Sequence, residues 1–388
     1  MLDLLLFRTE SGGTPAVIRE SQRRRGADAS QVDRVLSLDA AWRRLHALAA
    51  LRHKQLSASR KALAACRDAA ARAEALCVAR ESLKAEAERA AESEREERAA
   101  HAELQECLLA VGNLVHEHAP LSPAAPQEDT SAALRTLLAA GYAQQTDDGW
   151  RPVGVGLSLS RALATRALAF AVRSGFSIVA APLDPSADRL AKYTKLCRQR
   201  GEQRASEDQL AAELRAQPLG ALHAASWLQP QELPLRYVFV GGGGGAEEWR
   251  LRVLQVCADD HSCWRALDAL CAAALALHRA AGIPAALDER AAPQLPPHDA
   301  RAFSVRAAAA AGRVELARLG CQADYTARRF GVRCGLKQLG ERSKRHVNTV
   351  SGCIFRAESC LLALASAAQG DVKQLDALAT HLICTSIE

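Results

Sequence analysis

Apolar positions along the first third of the chain keep a helical rhythm. From Ala27 to Val111 no glycine or proline interrupts it. As one rod the segment would reach about 125 Å at 1.5 Å per residue, so it must pair with something or fold back. Leu76, Leu83, Ala90, Glu97, Leu104 and Val111 recur every seven residues, with mostly alanine at the apolar places between. Trp42, Leu45, Leu48, Leu51, Leu56 and Leu63 mark the first half. These are seams of coiled-coil type, diluted by alanine and by Glu97. The pattern predicts an antiparallel hairpin with its tip near Asp68 to Ala75, each helix of roughly 35 residues being about 50 Å long.

Charge supports the hairpin. Between Asp39 and Ala75 bases prevail, among them Arg43, Arg52, Arg60 and Arg67; between Leu76 and Val111 glutamates do, from Glu81 to Glu106. A basic helix lying against an acidic one is electrostatically sensible. Each charge alone is most simply a solvated face. Taken together, Arg43, Arg52, Arg60 and Arg67 are the candidates for a phosphate-gripping stripe.

Beyond the hairpin the periodicity changes. His118 to Thr130 carries Pro120, Pro123 and Pro126, a domain boundary. Gly175 to Pro182, Leu235 to Val240, Leu251 to Cys257 and Arg328 to Cys334 are strand candidates, and a last long helix is expected over Asn348 to Ala368. The organisation is therefore a helical arm at 1–117, a linker at 118–131 and a mixed domain at 132–388.

The chain's 388 residues can bury a core for about two domains. Abundant alanine favours helix. A formal charge of +6 permits an RNA partner without demanding one. No stretch is expected to reach the ~18 apolar residues of a membrane span. The opening Met1 to Arg8 is short for a secretory segment and contains Asp3. A soluble cytoplasmic protein is expected, with no membrane partner. The twelve cysteines form no CxxC pair. Cys257, His261 and Cys263 lack further ligands at metal spacing, so buried reduced thiols are expected and no metal site.

Gly241 to Gly245 follow the Leu235 to Val240 strand. A strand emptying into glycines is a common entrance to a nucleotide site. Gly241, Gly243 and Ala246 fit a dinucleotide fingerprint, with Asp259 further on, but any glycine tract would match. Only about five residues separate it from Leu251, too few for a βαβ crossover helix. No Lys-Ser/Thr follows for a phosphate loop.

Short blocks then carry a resemblance. Asp3 to Arg8, Gly12-Gly13, Ile18 to Arg25, Ala41-Trp42-Arg43-Arg44 and Val111 to His116 resemble seryl-tRNA synthetases of the eukaryotic cytosolic type, which are class II aminoacyl-tRNA synthetases. So do Ala221-Leu222-His223, Trp227 to Pro234, Gly282-Ile283-Pro284 and Asp324 to Arg329. The resemblance is dense at the start and patchy afterwards. It implies an α+β fold: an N-terminal antiparallel coiled-coil arm that grips tRNA, then an antiparallel sheet flanked by helices that dimerises. The implied activity is ATP-dependent activation of serine and its transfer to tRNA, with ATP and Mg2+ as cofactors.

The family's motifs carry over one at a time. Pro182 matches the proline ending the first class II motif. The serine-binding loop reads Thr-x-Glu before Gln-Pro; here Gln217-Pro218 follows Leu214 and Ala216, which cannot hold an ammonium. The second motif's arginine falls on Gly245 and its glutamate on Glu247. A glycine there supplies no fixed cation for the ATP phosphate. Of the Glu-x-x-Ser-x-x-Asn pattern for metal, ATP and serine, Glu315 remains, with Arg318 and Cys321 at the other places. The third motif's arginine falls on Ala357. Arg356 is one residue off, about 100° around a helix, and a one-residue slip would restore it.

Four parts of one site are altered, and each such loss typically costs around 10²-fold or more. The reading is a seryl-tRNA synthetase-like chain without catalysis that keeps a role in binding tRNA or protein. Glu247, Glu315 and Arg356 are its residual ATP and metal candidates. Its expected partners are a serine-type tRNA on the arm and a second copy or a related synthetase in a dimer. The alternatives are a diverged but active serine–tRNA ligase and a purely structural coiled-coil scaffold.

Overall fold

The computed structural model describes residues 1–388 except 66–72, 123–129, 148, 182–183, 203–205, 242–248, 310–311, 336–344 and 386–388. The chain opens with a short helix, α1 (Pro15–Arg24), and then the two long helices of the arm, α2 (Ser30–Ala65) and α3 (Ala73–Ala110). They run antiparallel: Arg34 pairs with Glu103, Trp42 with Glu97, and His53 with Glu94. The hairpin is as the heptads predict, and its expected tip lies mostly outside the described residues.

The seam also accommodates Glu97. Trp42 Nε1 donates to its carboxylate at 2.7 Å, and the Trp42 ring stacks on His101 at 5.0 Å between centroids. The polar residue that seemed to weaken the stripe is thus hydrogen-bonded where it is half-buried. At the arm's base Leu2, Phe7, Ile18, Val32, Val35, Leu104 and Leu108 form a separate core.

The second domain begins with α4 (Ser131–Ala139) and a hairpin of β1 (Ala143–Thr146) and β2 (Gly149–Pro152). Then come α5 (Gly154–Arg173), β3 (Ser177–Ala181), α6 (Ala187–Gln199), α7 (Glu207–Ala216), α8 (Pro218–His223), β4 (Trp227–Leu228), β5 (Leu235–Gly241) and β6 (Arg250–Cys257). The chain continues through α9 (Asp260–Ala280), β7 (Ala285–Glu289), β8 (Arg301–Ala309), β9 (Gly312–Ala323), α10 (Tyr325–Phe330), β10 (Arg333–Cys334), β11 (Arg345–His346) and β12 (Asn348–Arg356). It ends with α11 (Ala357–Ala367) and α12 (Val372–Cys384).

Seven strands form one sheet in the order β3-β5-β6-β12-β9-β8-β7. Every pair in it is antiparallel except β3 with β5. Helices α5, α9 and α11 cover one face. The apolar stripe of α9 (Cys263, Ala266, Leu267, Leu270, Ala274, Leu277) is its contribution, and a capping box between Asp259 and Ser262 starts that helix. Part of the other face is covered by α6, α7, α8 and α10, through Tyr193, Leu214, Leu219, Phe239, Leu254 and Phe330. Among the described residues no helix covers the remainder of that face, and the candidate site lies there.

Several sequence expectations are corrected. Arg328 to Cys334 is not a strand: it holds the end of α10, which stops at Gly331 in the left-handed conformation (φ 66°), and the short β10. Asn348 to Arg356 is a central strand rather than the first half of a helix. Its Thr349, Val350, Ile354 and Phe355 suit a buried strand, and only from Ala357 does the helix begin. By length and composition α5 could cross a membrane, contrary to the sequence expectation. Here it is a core helix that buries Leu159, Leu163, Ala167 and Ala171. The glycine tract joins antiparallel neighbours, β5 and β6, so no βαβ crossover exists at that point. Among the described residues nine of ten cysteines are buried and all ten are free thiols; Cys384 is exposed.

Candidate functional site

The open part of the sheet carries a lateral row of side chains. Arg252 on β6 pairs with Cys353 on β12, and Cys353 pairs with Arg318 on β9. Residues opposite each other on neighbouring strands share a face. One step along the strands, Arg250 lies opposite Arg356. That arrangement requires a β-bulge: β12 has one extra residue, Ile354, between its pairings with Arg252 and Leu251. Without it Arg356 would point to the opposite face. Arg356 thus reaches this face through a bulge at the end of a strand, and not through a turn of helix. Ala357, where the family's arginine falls, is buried at the start of α11.

A second bulge does the same for Glu315. On β9, Ala317 pairs with Val305 and Glu315 with Arg306, so Leu316 is the extra residue. Glu315 and Arg318 thereby share a face. Cys321 does not: it is buried on the α9 side, with its Sγ 3.3 Å from that of Cys263.

Glu315 is thoroughly engaged. Arg290 Nη1 donates to Oε2 at 2.7 Å, Ser304 Oγ donates to the same oxygen at 2.8 Å, and Arg356 Nη2 lies 3.3 Å from Oε1. The carboxylate that the resemblance assigns to a metal is thus neutralised by two guanidinium groups. A divalent ion would have to displace both. Among the described residues no group of three or more His, Cys, Asp or Glu side chains is placed to hold a metal. The described residues do not fit a magnesium site.

A cavity of about 260 Å³ opens beside this cluster, lined by Arg250, Arg252, Arg318, Arg356, His298 and Ala216. Arg250 has Glu358 at 3.7 Å. Gln217 and Pro218 also line the cavity, whereas Leu214 is buried in the core beneath. The substrate-loop positions thus give an apolar rim residue, Ala216, and a packing residue. Gly245 and Glu247 lie outside the described residues, as does Pro182.

Behind the cavity sits Asp299. Burial pushes its carboxyl up to about 7, against the pull of Arg318 and Arg25. It packs on Gly320, where a Cβ would come within 2.4 Å of Oδ2, so only glycine fits. Its neighbour His298 is held down to about 4 by burial and by Arg318 and Arg25, and is neutral near pH 7.

The same region fastens the arm. Arg25 Nε donates to the Asn113 carbonyl at 3.0 Å and Nη1 to that of Pro296 at 2.8 Å, while Nη2 donates to the Asp299 carbonyl. Burial lowers its pKa to about 10. Asn113 Nδ2 donates to the carbonyls of His298 and Gln322, both at 2.9 Å. Tyr325 Oη donates to Val111 O at 2.9 Å, and Arg328 bonds Asp3 and Asp324, both at 2.7 Å. The blocks around Asp3, Arg25, Asn113 and Tyr325 meet at this one junction.

The arm's candidates diverge. Arg43 is exposed and bonds Glu10. Arg52 turns into the seam, where it donates to Ser93 Oγ and, at 3.0 Å, to Arg89 O. Arg60 is exposed, and Arg67 lies outside the described residues. Arg43 and Arg52 are nine residues apart, about 180° around a helix, so the structure does not bring them onto one stripe.

A seven-stranded antiparallel sheet with one parallel edge pair, helices on both faces and an open site across its middle is the catalytic fold of class II aminoacyl-tRNA synthetases. The cytoplasmic serine–tRNA ligase from Naegleria fowleri, solved in complex with AMP, superposes with a TM-score of 0.71 over 94% of this chain and 93% of that one, at 19% identity. Residues 1–115 match the seryl-tRNA synthetase N-terminal domain. The serine–tRNA ligase of Helianthus annuus is 26% identical over 411 residues, covering 93% of this chain and 92% of that protein. The cytoplasmic serine–tRNA ligase of Schizosaccharomyces pombe is 25% identical over 411 residues, covering 93% and 90%. The chain thus carries a seryl-tRNA synthetase N-terminal domain over residues 1–115 and is similar over most of its length to serine–tRNA ligases.

Proposed function

We propose that this chain is a cytoplasmic non-catalytic homologue of seryl-tRNA synthetases that binds a serine-type tRNA through its hairpin arm. The observation that carries the loss of catalysis is Glu315. Its Oε2 accepts from Arg290 and Ser304 and its Oε1 faces Arg356, so the metal of an adenylation reaction would have to compete with two guanidinium groups. Ala216 and Leu214 add to this, since neither can fix the ammonium of serine. In a class II site the developing phosphate charge is met by positioned cations and metal. Here the cations are partly spent on a carboxylate.

The arm is the part best equipped for a partner. Arg43, Arg44, Lys54, Arg60 and Lys61 are all exposed on α2, and exposed cations on a rigid helix suit a phosphate backbone. Arg52, facing the seam, serves the hairpin instead. The N-terminal core and the Arg25 junction hold that arm to the sheet domain. A dimer with a second copy or a related synthetase would present two such arms.

Serine-dependent ATP–pyrophosphate exchange tests the catalytic half of the reading: no exchange above background is expected, and a rate typical of an intact synthetase refutes it. Electrophoretic mobility shift with tRNA tests the other half. Retarded complexes that weaken steeply between about 50 and 200 mM salt are expected. Binding insensitive to salt, or none, would leave the arm a scaffold.

A further inference from the structure

Three cysteines meet where α9 packs on the sheet. Cys257 ends β6 and Cys321 is on β9, with β12 between the two strands. Two strand spacings are about 10 Å, too far for these two thiols to reach each other. Cys263, in the first turns of α9, comes down between them. Its Sγ lies 3.3 Å from that of Cys321, and its side chain is the main hydrogen-bond partner of the Cys257 sulfur. Cys263 has one proton to give, so donating it to Cys257 leaves the Cys321 thiol as the donor to Cys263.

That order sets the chemistry of each sulfur. The bond from Cys263, helped by Gln255, holds the Cys257 thiol below its usual pKa against the effect of burial. Cys263 itself is held up, first by Cys257 and then by Cys321. The thiolate is the reactive form, and Cys257 is the member that forms it. It is also the member that solvent approaches. Cys263 and Cys321 have no exposed surface. Cys257 is only 1% exposed but lines a cavity of about 600 Å³, with Gln255, Ser262, Phe176 and Arg236. A hydroperoxide is small enough to enter.

We propose that these cysteines form a peroxide-responsive site, in which Cys257 is oxidised first and Cys263 and Cys321 end as a disulfide. The Cys257 thiolate attacks one peroxide oxygen. An S–O bond forms, the O–O bond breaks, and the departing hydroxide takes up a proton as water. Cys263 then attacks the sulfenic sulfur, and its proton leaves with the hydroxyl as a second water. Cys321 next attacks Cys263, and Cys257 departs and takes the Cys321 proton; a thiol of low pKa leaves fastest. In sum two thiols give up two electrons and the peroxide becomes two waters. A disulfide needs about 2.05 Å between sulfurs, so a closing movement of about 1 Å joins Cys263 to Cys321. Such a bond in a reducing compartment is transient. While it lasts it ties α9 to β9, the strand that carries Glu315 and Arg318.

Treatment of the full chain with hydrogen peroxide, then alkylation of the remaining thiols in denaturant, tests this. Trypsin leaves Cys257 and Cys263 together on 253–265 and Cys321 on 319–328. The expected product is a cross-link between these two peptides, with Cys257 alkylated, that dithiothreitol reverses. Cys257→Ala should slow its formation by about tenfold or more. Cys321→Ala should stop the reaction at a Cys257–Cys263 bond, seen as peptide 253–265 short of two hydrogens and bearing no alkyl group. Melting curves close to the parent's would show that the variants fold, since a buried cysteine packs as a small hydrophobe. The proposal is overturned if 253–265 stays fully alkylated at peroxide levels that oxidise the exposed Cys384. It is also overturned if the cross-link forms as fast without Cys257, or if the disulfide joins Cys257 to Cys321.

Discussion

Replacing Arg290 by methionine probes whether the Glu315 cluster is held as tightly as its geometry indicates. Arg290 and Glu315 are 14% and 15% exposed, with 2.7 Å between them. At an effective dielectric near 20, unit charges about 4 Å apart attract by about 4 kcal/mol. Removing one partner from a buried pair typically costs about 3–5 kcal/mol, because the other is left uncompensated. Here Arg356 and Ser304 stay on the carboxylate, so Arg290→Met should cost toward the lower end, about 3 kcal/mol. Glu315→Gln leaves two guanidinium groups facing each other and should cost about as much. The double variant removes both charges together and should cost less than the sum, by about 2 kcal/mol of coupling. Urea unfolding of the four proteins, with circular dichroism as readout, gives that coupling. A value under about 0.5 kcal/mol, as for an exposed pair, would refute the reasoning. Glu315 would then be free to serve a metal, and the main support for lost catalysis would go with it.

Three further outcomes are expected. Gly320→Ala places a Cβ within 2.4 Å of the buried Asp299 carboxylate and should destabilise by about 1–3 kcal/mol; a neutral effect in urea unfolding would mean that Asp299 moves freely. Asp299 has a native pKa near 7, above its unfolded value. Its stabilising contribution is therefore full below about pH 4 and lost as pH rises through about 7. Asp299→Asn should lack that fall, so its stability relative to the parent should rise with pH by up to about 4 kcal/mol; a constant difference from pH 4 to 8 would contradict the assignment. Arg25→Met strips donors from the carbonyls of Asn113, Pro296 and Asp299, at about 3 kcal/mol. Limited proteolysis near the arm's exit should speed up, and an unchanged rate would show that the junction does not depend on Arg25.

Sequence alone determined the arm and the resemblance to seryl-tRNA synthetases. An uninterrupted heptad pattern with opposite charge on its two halves leaves a helical hairpin as the main way to bury its seams, because the periodicity is local. Strands β3, β5 and β6 were legible as apolar runs for the same reason. The site was half legible. Glu315 and Arg356 were named from motif positions, yet which face each occupies depends on bulges at Leu316 and Ile354, and a bulge is a matter of pairing between strands distant in sequence. The alternating pattern of β12 was mistaken for helix because its register exists only against β6 and β9. Arg252 as a cavity residue, and the closure of Glu315 by Arg290, were beyond sequence reasoning, since residues 25 or more apart meet there only through the sheet. The blocks that carried the resemblance, around Asp3, Arg25, Asn113 and Tyr325, belong largely to the junction of arm and sheet domain. Only the tertiary structure decided that they fasten the fold, while the chemistry depends on charges that neighbouring strands bring side by side.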